Sequence, residues 1–478
     1  MCGIIGIINH EEVIGDLLFG LSALQHRGQS SCGIVTFEKL FHLHKGLGNI
    51  SQVFTQQEVA KLKGNIGLGH VRYATQGGDD LINAQPYSIN YPFGIAMIHN
   101  GNILNFKELR DTLYKEHHIL LETSNDLELI LYTFASELRK KDLMNLSVDD
   151  IFDSVSETQQ KVLGAYAAIT MIANRGILAF NDPNGIRPLV FGKKETASGT
   201  TYAFASESSC FDYLEYEVIS NLAPGEAIFI DTNNTVHRKI CHSGKPAFCI
   251  FEYIYFARED SIMHDKLVAN ERIAMGKILA KRVKAAGLKP DVIVDVPSSA
   301  YFFATSLADE LGVQYIRGLA KNNHIGRSFI MSNQKDRETT AKLKLNPITS
   351  FLKGKKVALV DDSIVRGTTS KNLIGLLKRA GAKEIYFISA APPIQHPCMY
   401  GIDMAISSEL IGRNTVADIE SYLEVDALIY QSIDDLKELY KNEHFCYACF
   451  DGLYPVANSK KYIDEIESER ISSSKNGC

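Results

Sequence analysis

The two halves of this 478-residue chain carry different patterns of apolar segments, and that contrast restricts the folds available to it. In the first half, apolar runs such as 3–8 and 165–173 are not interrupted by regularly spaced polar residues. Strands of this kind are buried on both faces, which favours a sandwich of two sheets covered by helices. In the second half, short apolar runs alternate with helical segments, a pattern typical of a parallel α/β sheet.

A polar stretch at 231–246, with Asn-Asn and Ser-Gly-Lys-Pro, separates the two patterns. We therefore expect one domain over 2–235, a second over 246–436 and a helical tail over 437–478. A chain of this length usually forms two or three domains, and its 45% hydrophobic content is enough for their cores.

Charge and hydropathy exclude several functional classes. The formal net charge is -6, so the chain has no basic footprint for nucleic acid. It contains no run of 18 apolar residues, and its first residues lack the features of a secretion signal. We expect a cytoplasmic protein without a membrane partner. The nine cysteines are an odd number, which argues against a disulfide framework and favours metal or catalytic use for some of them.

Cys2 directly follows the initiator methionine. If Met1 is removed, the thiol and a free α-amino group with a pKa of roughly 7.7–8.0 belong to one residue. That residue can supply both a nucleophile and the base that activates it. Taken alone, however, Cys2 is more often simply a small apolar residue.

Three polar loops follow predicted strands of the first half, at 70–77, 99–102 and 123–126. Each alone is also consistent with a turn or a helix cap. Together they match one task, the hydrolysis of an amino-acid amide. Asn100 and Gly101 could form an oxyanion hole. Arg72 suits the carboxylate and Asp126 the ammonium group of glutamine.

These loops, together with 2–4 and 25–29, resemble the N-terminal-nucleophile glutamine amidotransferases. The resemblance implies an αββα sandwich in the first half. It implies that Cys2 is nucleophile and base, that Arg72 and Asp126 bind glutamine, and that Asn100 and Gly101 form the oxyanion hole.

A second motif, at 357–369, reads as a strand, a polar loop and the start of a helix. Backbone amides and hydroxyls at a helix N-terminus favour phosphate, and Asp361 and Asp362 can bind ribose hydroxyls or a Mg²⁺-bearing sugar. The alternative is a capped loop with solvated acids.

The motif resembles the phosphoribosyltransferase signature, which binds phosphoribosyl pyrophosphate (PRPP). The resemblance implies that the sugar and phosphates are bound by Asp361, Asp362, Ser363, Arg366, Gly367, Thr368 and Thr369. It also implies that Ser299 joins Asp361 and Asp362 as a Mg²⁺ ligand, and that 321–330 is a mobile loop. Lys321, Arg327 and Lys344 then contact PRPP, although a solvated basic face remains an alternative for such residues.

The order of the two halves resembles the glutamine PRPP amidotransferase family, in its iron–sulfur-bearing branch. The resemblance implies that ammonia released from glutamine at Cys2 is channelled to PRPP, giving 5-phosphoribosylamine, glutamate and pyrophosphate in purine biosynthesis. It also implies Mg²⁺ as cofactor, inhibition by AMP, GMP, ADP and GDP, and a homotetramer.

Cys446-x-x-Cys449 is the one close cysteine pair, and by spacing alone it fits zinc, iron–sulfur or no metal. In the iron–sulfur branch, the four positions that match cluster ligands are Cys249, Cys398, Cys446 and Cys449. Four thiolates suit a [4Fe–4S] cluster, with zinc as the rival.

Three positions depart from the family pattern. Only Met1 precedes the cysteine, where a short propeptide is usual. Ser298 replaces a common acid, and His324 replaces an aromatic residue of the mobile loop. The altered mobile loop leaves a PRPP- or nucleotide-sensing homologue with weak or lost turnover as an alternative. An amidotransferase that makes aminosugars or asparagine is a further rival, which the 360–369 signature opposes.

Overall fold

The computed structural model of the chain describes residues 1–73, 80–322, 345–402 and 406–475. Within them, the first half builds a seven-stranded antiparallel sheet with Gly3–Ile8 at its centre. In spatial order its strands are Glu217–Asn221, Val190–Thr196, Gly199–Ala205, Gly3–Ile8, Ile66–Arg72, Ser31–Phe37 and Phe41–Leu47.

A second antiparallel sheet of six described strands packs against the first. In spatial order its strands are Val236–Ile240, Glu226–Asp231, Gly176–Asn181, Gly164–Ile172, Ile95–Ile103 and Tyr87–Ile89. The sheets approach closely at Gly6, where a Cβ atom would lie 2.6 Å from the Ile169 side chain. A glycine is therefore required there to bring the strand of Cys2 against the second sheet.

Helices cover both outer faces of this sandwich. Leu17 and Leu21 of the helix Ile14–Ala23 pack on the first sheet. The helices Phe106–His117, Asp126–Leu138 and Val148–Lys161 bury an apolar cluster against the second sheet. The predicted αββα sandwich is confirmed.

The second half contains a parallel sheet in the order Gln314–Tyr315, Val292–Asp295, Lys356–Asp361, Glu384–Ser389 and Ala427–Tyr430. The main helices of this half are Val268–Ala285, Tyr301–Leu311, Thr368–Arg379 and Val416–Leu423. Because parallel strands end at one edge of a sheet, the residues after Asp295 and Asp361 lie side by side. The predicted parallel α/β fold is also confirmed.

The C-terminal region contains helices at Ile433–Leu439, Ala448–Asp451 and Ser459–Lys475, as the sequence predicts. It also contributes Phe445–Cys446, a two-residue strand that pairs in parallel with Phe248–Cys249. Two residues are too few for a periodic pattern, so the sequence did not predict this pairing.

Several short elements complete the described residues. The short helices and helical turns are Gln25–Arg27, Ile50–Val53, Gln56–Val59, Leu81–Asn83, Ser209–Leu214, Glu252–Phe256, Thr349–Leu352, Ser407–Glu409 and Ile411–Arg413. Ile262–Met263 pairs with Lys266–Leu267, and Leu319–Lys321 pairs with Leu345–Pro347. No helix within the described ranges is long and apolar enough to span a membrane.

One apolar cluster joins the two halves. Met1 and Leu104 from the first half belong to the same buried cluster as Ile254, Phe303 and Val360 from the second. This shared core fixes the position of the N-terminus relative to the parallel sheet.

Candidate active site

Cys2 lies immediately before the central strand Gly3–Ile8, and its main chain is held on both sides. Its N–H donates to Asn100 Oδ1 at 3.1 Å, and its carbonyl accepts from Arg27 Nε at 3.0 Å. The thiol Sγ lies 3.8 Å from the Tyr73 carbonyl. Met1 is buried, and burial lowers the pKa of its amino group to about 5. Removal of Met1 would place the new α-amino group of Cys2 beside Asn100.

Asn100 and Gly101 lie in the strand Ile95–Ile103. Asn100 is buried, and its Nδ2 has no hydrogen-bond partner among the described residues. Gly101 is paired with Tyr166 of the neighbouring strand. The Tyr166 N–H donates to Asp182 Oδ2 at 3.1 Å, and the Tyr166 carbonyl accepts from the Asp182 N–H at 2.8 Å. Because the main-chain groups of Tyr166 bond elsewhere, Gly101 and Tyr166 form a non-hydrogen-bonded pair, and the Gly101 amide points away from the strand of Tyr166. A Cβ at Gly101 would lie 2.0 Å from the Ala165 carbonyl oxygen, so a side chain does not fit there.

Replacing Asn100 by aspartate removes its Nδ2 donor and places a carboxylate beside the oxyanion, while Oδ1 remains available to Cys2. We expect kcat for glutamine hydrolysis to fall about 10²–10³-fold, the usual cost of one oxyanion donor. Asn65→Ala, an exposed position on the same sandwich, is the matched control. If kcat for Asn100→Asp stayed within twofold of that of the control, Asn100 would not be part of the oxyanion hole.

Asp126 begins the helix Asp126–Leu138 and points back to the same strand. Its Oδ2 accepts from the Ile103 amide at 3.1 Å, and its Oδ1 lies 3.3 Å from His99 Nε2. On the other side of the ring, Gln85 Nε2 lies 2.9 Å from His99 Nδ1. The strand Ile95–Ile103 thus connects Asp126 with Asn100 and Cys2.

Arg72, the last residue of its strand, is buried. Burial raises the pKa of Tyr87 to about 12, and the charges of Arg72 and Asp126 act on this phenol in opposite directions. Arg72 and Asp126 therefore both lie near the Tyr87 side chain, so the candidate site contains one positive and one negative group for the two charged groups of glutamine. Residues 74–79 of the predicted loop fall outside the described residues.

At the edge of the parallel sheet, Asp361 and Asp362 lie next to Ser299. Ser299 Oγ donates to Asp362 Oδ2, and Ser363 Oγ donates to Asp362 Oδ1 at 2.7 Å. Burial, and then the charge of Asp362, raise the pKa of Asp361 well above its ordinary value. Burial also raises the pKa of Asp362. Two buried neighbouring carboxylates and a hydroxyl are a donor set that a hard cation such as Mg²⁺ would stabilise.

The loop after these acids ends in a left-handed residue, Gly367, with φ of 76°. A Cβ there would lie 2.8 Å from the Ile411 side chain, so glycine is required. Thr368 and Thr369 then form the first turn of the helix Thr368–Arg379, where free amides favour an anion.

Two predicted PRPP-binding cations lie at the margins of this site. Arg366 is exposed, and its Nε donates to Glu409 at 2.7 Å, so this side chain is turned towards Glu409. Lys321 Nζ donates to Ser298 Oγ at 3.3 Å, which brings it to the segment that carries Ser299. Arg327, Lys344 and His324 fall outside the described residues.

The four cysteines matched to cluster ligands converge between the two halves. Cys249 and Cys446 are opposite each other in the short parallel strand pair, and all four are free thiols. Burial raises the pKa of Cys449 well above its ordinary value, and the thiols of Cys446, Cys398 and Cys249 raise it further. The charges of the other three thiols therefore act on Cys449. Within the described ranges, no three His, Cys, Asp or Glu side chains are arranged to hold a single metal ion.

The structure also reveals a buried group of charges that the sequence does not predict. Arg27 is fully buried beside Glu207 and Glu252, although these residues are far apart along the chain. Of the three residues, only Arg27 lies in a segment, 25–29, whose resemblance to the amidotransferases drew attention to it. Ion pairing over such separations leaves no local pattern by which it could be found.

Two family descriptions match the two halves. A glutamine amidotransferase domain matches residues 70–213, and a phosphoribosyl transferase domain matches residues 264–397. These ranges contain the Asn100–Asp126 site and the Asp361–Asp362 site respectively.

Relatives that contain both domains cover nearly the whole chain. The amidophosphoribosyltransferase of Pseudomonas aeruginosa is 40% identical over 99% of this chain and 97% of its own length. That of Saccharomyces cerevisiae is 39% identical over 100% of this chain and 96% of its own length. The solved structure of glutamine PRPP amidotransferase from B. subtilis, complexed with ADP and GMP, is 34% identical with a TM-score of 0.85, covering 95% of this chain and 97% of that one. With this fold, these two sites and these relatives, the chain belongs to the amidophosphoribosyltransferase family.

Proposed function

We propose that this chain transfers the amide nitrogen of glutamine to PRPP, producing 5-phosphoribosylamine, glutamate and pyrophosphate. The observation that best supports the proposal is the buried apolar cluster shared by the two halves. It runs from Met1, the neighbour of Cys2, to Val360, the neighbour of Asp361. Ammonia that crosses such a region is shielded from the water that would protonate and dilute it.

The first step is glutamine hydrolysis at Cys2 after removal of Met1. Arg72 and Asp126 bind the α-carboxylate and α-ammonium groups and so position the side-chain amide. The Cys2 thiolate attacks the amide carbon, while Asn100 Nδ2 and the Gly101 amide stabilise the oxyanion. The carbon–nitrogen bond breaks, the Cys2 α-ammonium gives its proton to the departing ammonia, and water hydrolyses the thioester to glutamate.

The second step takes place at the edge of the parallel sheet. The loop from Ser363 to Thr369 holds the phosphate of PRPP, and ammonia attacks C1 of the ribose as pyrophosphate leaves. Mg²⁺ bound by Asp361, Asp362 and Ser299 would neutralise charge on the leaving pyrophosphate. By the family resemblance, Lys321, Arg327 and Lys344 are also proposed to contact PRPP.

A steady-state assay with glutamine and PRPP tests the proposal. We expect glutamate and pyrophosphate to be released in equal amounts, and ammonium salts to replace glutamine in the second step alone. Binding of PRPP without pyrophosphate release from either nitrogen source would overturn the proposal in favour of a PRPP-sensing protein.

The four converging cysteines are proposed to hold a [4Fe–4S] cluster. The support is that all four are free thiols whose charges interact, two of them from the second half and two from the tail. When bound, the cluster would link the tail to both domains. The domain boundaries near residues 235 and 436, which the sequence pattern predicts, stay a prediction.

Metal analysis of anaerobically purified protein checks this assignment. We expect about four irons and four sulfides per chain, and loss of the iron in Cys446→Ser. Cys241→Ser, a half-buried cysteine away from the group, should retain it. One zinc per chain without iron would show that the four cysteines bind zinc. Absence of both metals would contradict the proposed metal site.

Nucleotide regulation and assembly are proposed from the relatives. The B. subtilis protein was solved with ADP and GMP, which supports inhibition of this chain by AMP, GMP, ADP and GDP. A homotetramer is proposed by the same resemblance. Inhibition assays and light scattering test the two statements separately.

A further inference from the structure

Arg187 is a fully buried arginine of the first half, between the strands Gly176–Asn181 and Val190–Thr196. Its Nε donates to the Tyr400 carbonyl at 2.6 Å, and its NH2 donates to the same oxygen. Its NH1 makes no hydrogen bond to any residue that the structure describes. The guanidinium therefore bonds to a neutral carbonyl, although a buried charge normally requires an ionic partner.

The carboxylate beside Arg187 is engaged elsewhere. Glu252 Oε1 lies 3.7 Å from Arg187 NH1, which is too long for a hydrogen bond. Both Glu252 oxygens instead accept from Arg27, at 3.1 and 2.9 Å. Because Glu252 binds Arg27 more closely, it compensates the charge of Arg187 only in part.

Two contacts place Arg187 next to ligands of the proposed cluster. The Cys249 N–H donates at 3.2 Å to the carbonyl of Ile186, the residue before Arg187. Tyr400, whose carbonyl accepts from Arg187, donates its own N–H to Cys398 Sγ at 3.4 Å. Arg187 is thus connected to Cys249 through the adjoining main chain and to Cys398 through a single intervening residue.

The charges of these groups agree with that placement. Burial opposes the positive charge of Arg187, but the charges of Cys249 and Cys398, followed by that of Glu252, outweigh it and raise the pKa of the guanidinium. Burial raises the pKa of Cys249 to about 11, and the charge of Arg187 opposes that rise. The two thiols therefore act on Arg187 more strongly than the neighbouring carboxylate does.

We infer that Arg187 is the charge partner of the proposed [4Fe–4S] cluster, a positioning residue that stabilises the negative charge which four thiolates bring into this buried region. Its unpartnered NH1 supplies positive charge, and its bonds to Tyr400 hold the residue whose N–H contacts Cys398. Net charge and hydrogen bonds to the sulfurs set the reduction potential of iron–sulfur clusters. The inference rests on the proposed cluster, and it assigns control of the potential to a residue that is not a ligand.

Arg187→Gln tests the inference in the full-length protein, purified anaerobically, because glutamine keeps a donor for the Tyr400 carbonyl but carries no charge. We expect the midpoint potential of the cluster to become more negative, since a nearby positive charge favours the reduced form. The expected change is a shift of at least tenfold in the reduction equilibrium, about 59 mV for one electron. A potentiometric titration followed by electron paramagnetic resonance measures it.

Arg187→Lys separates the charge from the contact with Tyr400. Lysine keeps the positive charge but loses the two-donor contact, so its reduction equilibrium should stay within threefold of wild type. A role confined to holding Tyr400 predicts a larger change in Arg187→Lys than in Arg187→Gln. The matched control is Arg175→Gln, which removes an arginine stacked on Phe93 after the strand Gly164–Ile172 and should change neither potential nor iron content.

Glu252→Gln gives a measurement that does not require the Arg187 variants to fold. It removes the carboxylate beside Arg187 and leaves Arg187 itself in place. The midpoint potential should then move in the opposite direction, to more positive values, by at least threefold in the reduction equilibrium.

Three results would overturn the inference while leaving the proposed cluster intact. The first is a reduction equilibrium in Arg187→Gln within twofold of wild type. The second is a shift in Arg187→Lys as large as that in Arg187→Gln. The third is a Glu252→Gln potential that is unchanged or more negative, which also decides the matter if Arg187→Gln loses its iron. A wild-type chain without iron would contradict the proposed cluster, and this inference with it.

Discussion

Replacement of Cys2 by alanine is expected to abolish glutamine-dependent synthesis, with a loss of at least about 10³-fold in kcat. The residue supplies both the nucleophile and the base, so no neighbouring group in the described site can replace it. Ammonia-dependent synthesis should remain within twofold of wild type, because its chemistry takes place at Asp361 and Asp362. The measurement is turnover of PRPP with each nitrogen source in parallel.

The matched control is Cys241→Ser, which changes a half-buried cysteine in the first half and should alter neither rate. N-terminal mass analysis belongs with this experiment, since Cys2 has a free amino group only when Met1 has been removed. Glutamine hydrolysis by a Cys2→Ala protein would show that another residue is the nucleophile.

Asp361→Asn is expected to give the second large effect, a loss of both glutamine-dependent and ammonia-dependent turnover by about 10²-fold or more. Unlike most buried substitutions, it should not lower the thermal midpoint in the absence of Mg²⁺. Burial and the charge of Asp362 hold the pKa of Asp361 well above its ordinary value, so at neutral pH this carboxyl contributes unfavourably to the free energy of folding. The Asn Oδ1 can still accept from the Asp362 amide, as Asp361 Oδ1 does at 2.9 Å.

The sign of the pH dependence follows from the raised pKa. Wild-type stability attributable to Asp361 falls as the pH rises from the unfolded-state pKa towards the higher folded-state value. Any advantage of Asp361→Asn should therefore shrink as the pH is lowered, when the wild-type carboxyl is protonated too. Asp309→Asn, an exposed change on a neighbouring helix, is the control. A large drop in the midpoint of Asp361→Asn at neutral pH would contradict this account of the acid pair.

Much of the fold and of both sites could be predicted because the relevant signals are local. The motif at 357–369 contains its own strand, acid pair, loop and helix start, and the structure places each of them as expected. Asp126 likewise lies at the start of a helix, as predicted, whereas the loop predicted at 99–102 is wrong, because the strand Ile95–Ile103 continues through Asn100 and Gly101. Polar residues that follow predicted parallel strands indicate a site, because the carboxyl ends of such strands meet at one edge of the sheet.

The remainder depends on contacts that no local pattern encodes. Arg366 was predicted to bind PRPP from its place in the motif, whereas its side chain pairs with Glu409 from a distant segment. The strand pair that aligns Cys249 with Cys446 is two residues long, below the length at which periodicity is visible. The pairing of Arg27 with Glu252 joins residues of different halves, so only the folded chain reveals it.

Channelling of ammonia is the central claim, and isotope competition tests it most directly. Glutamine labelled with ¹⁵N in its amide is turned over with PRPP in the presence of excess unlabelled ammonium, at a pH where free ammonia is scarce. The account predicts that the 5-phosphoribosylamine carries nearly all of its nitrogen as ¹⁵N. Dilution of the label to the isotopic ratio of the bulk ammonium pool would show that ammonia leaves the protein between the two sites, and would contradict the account.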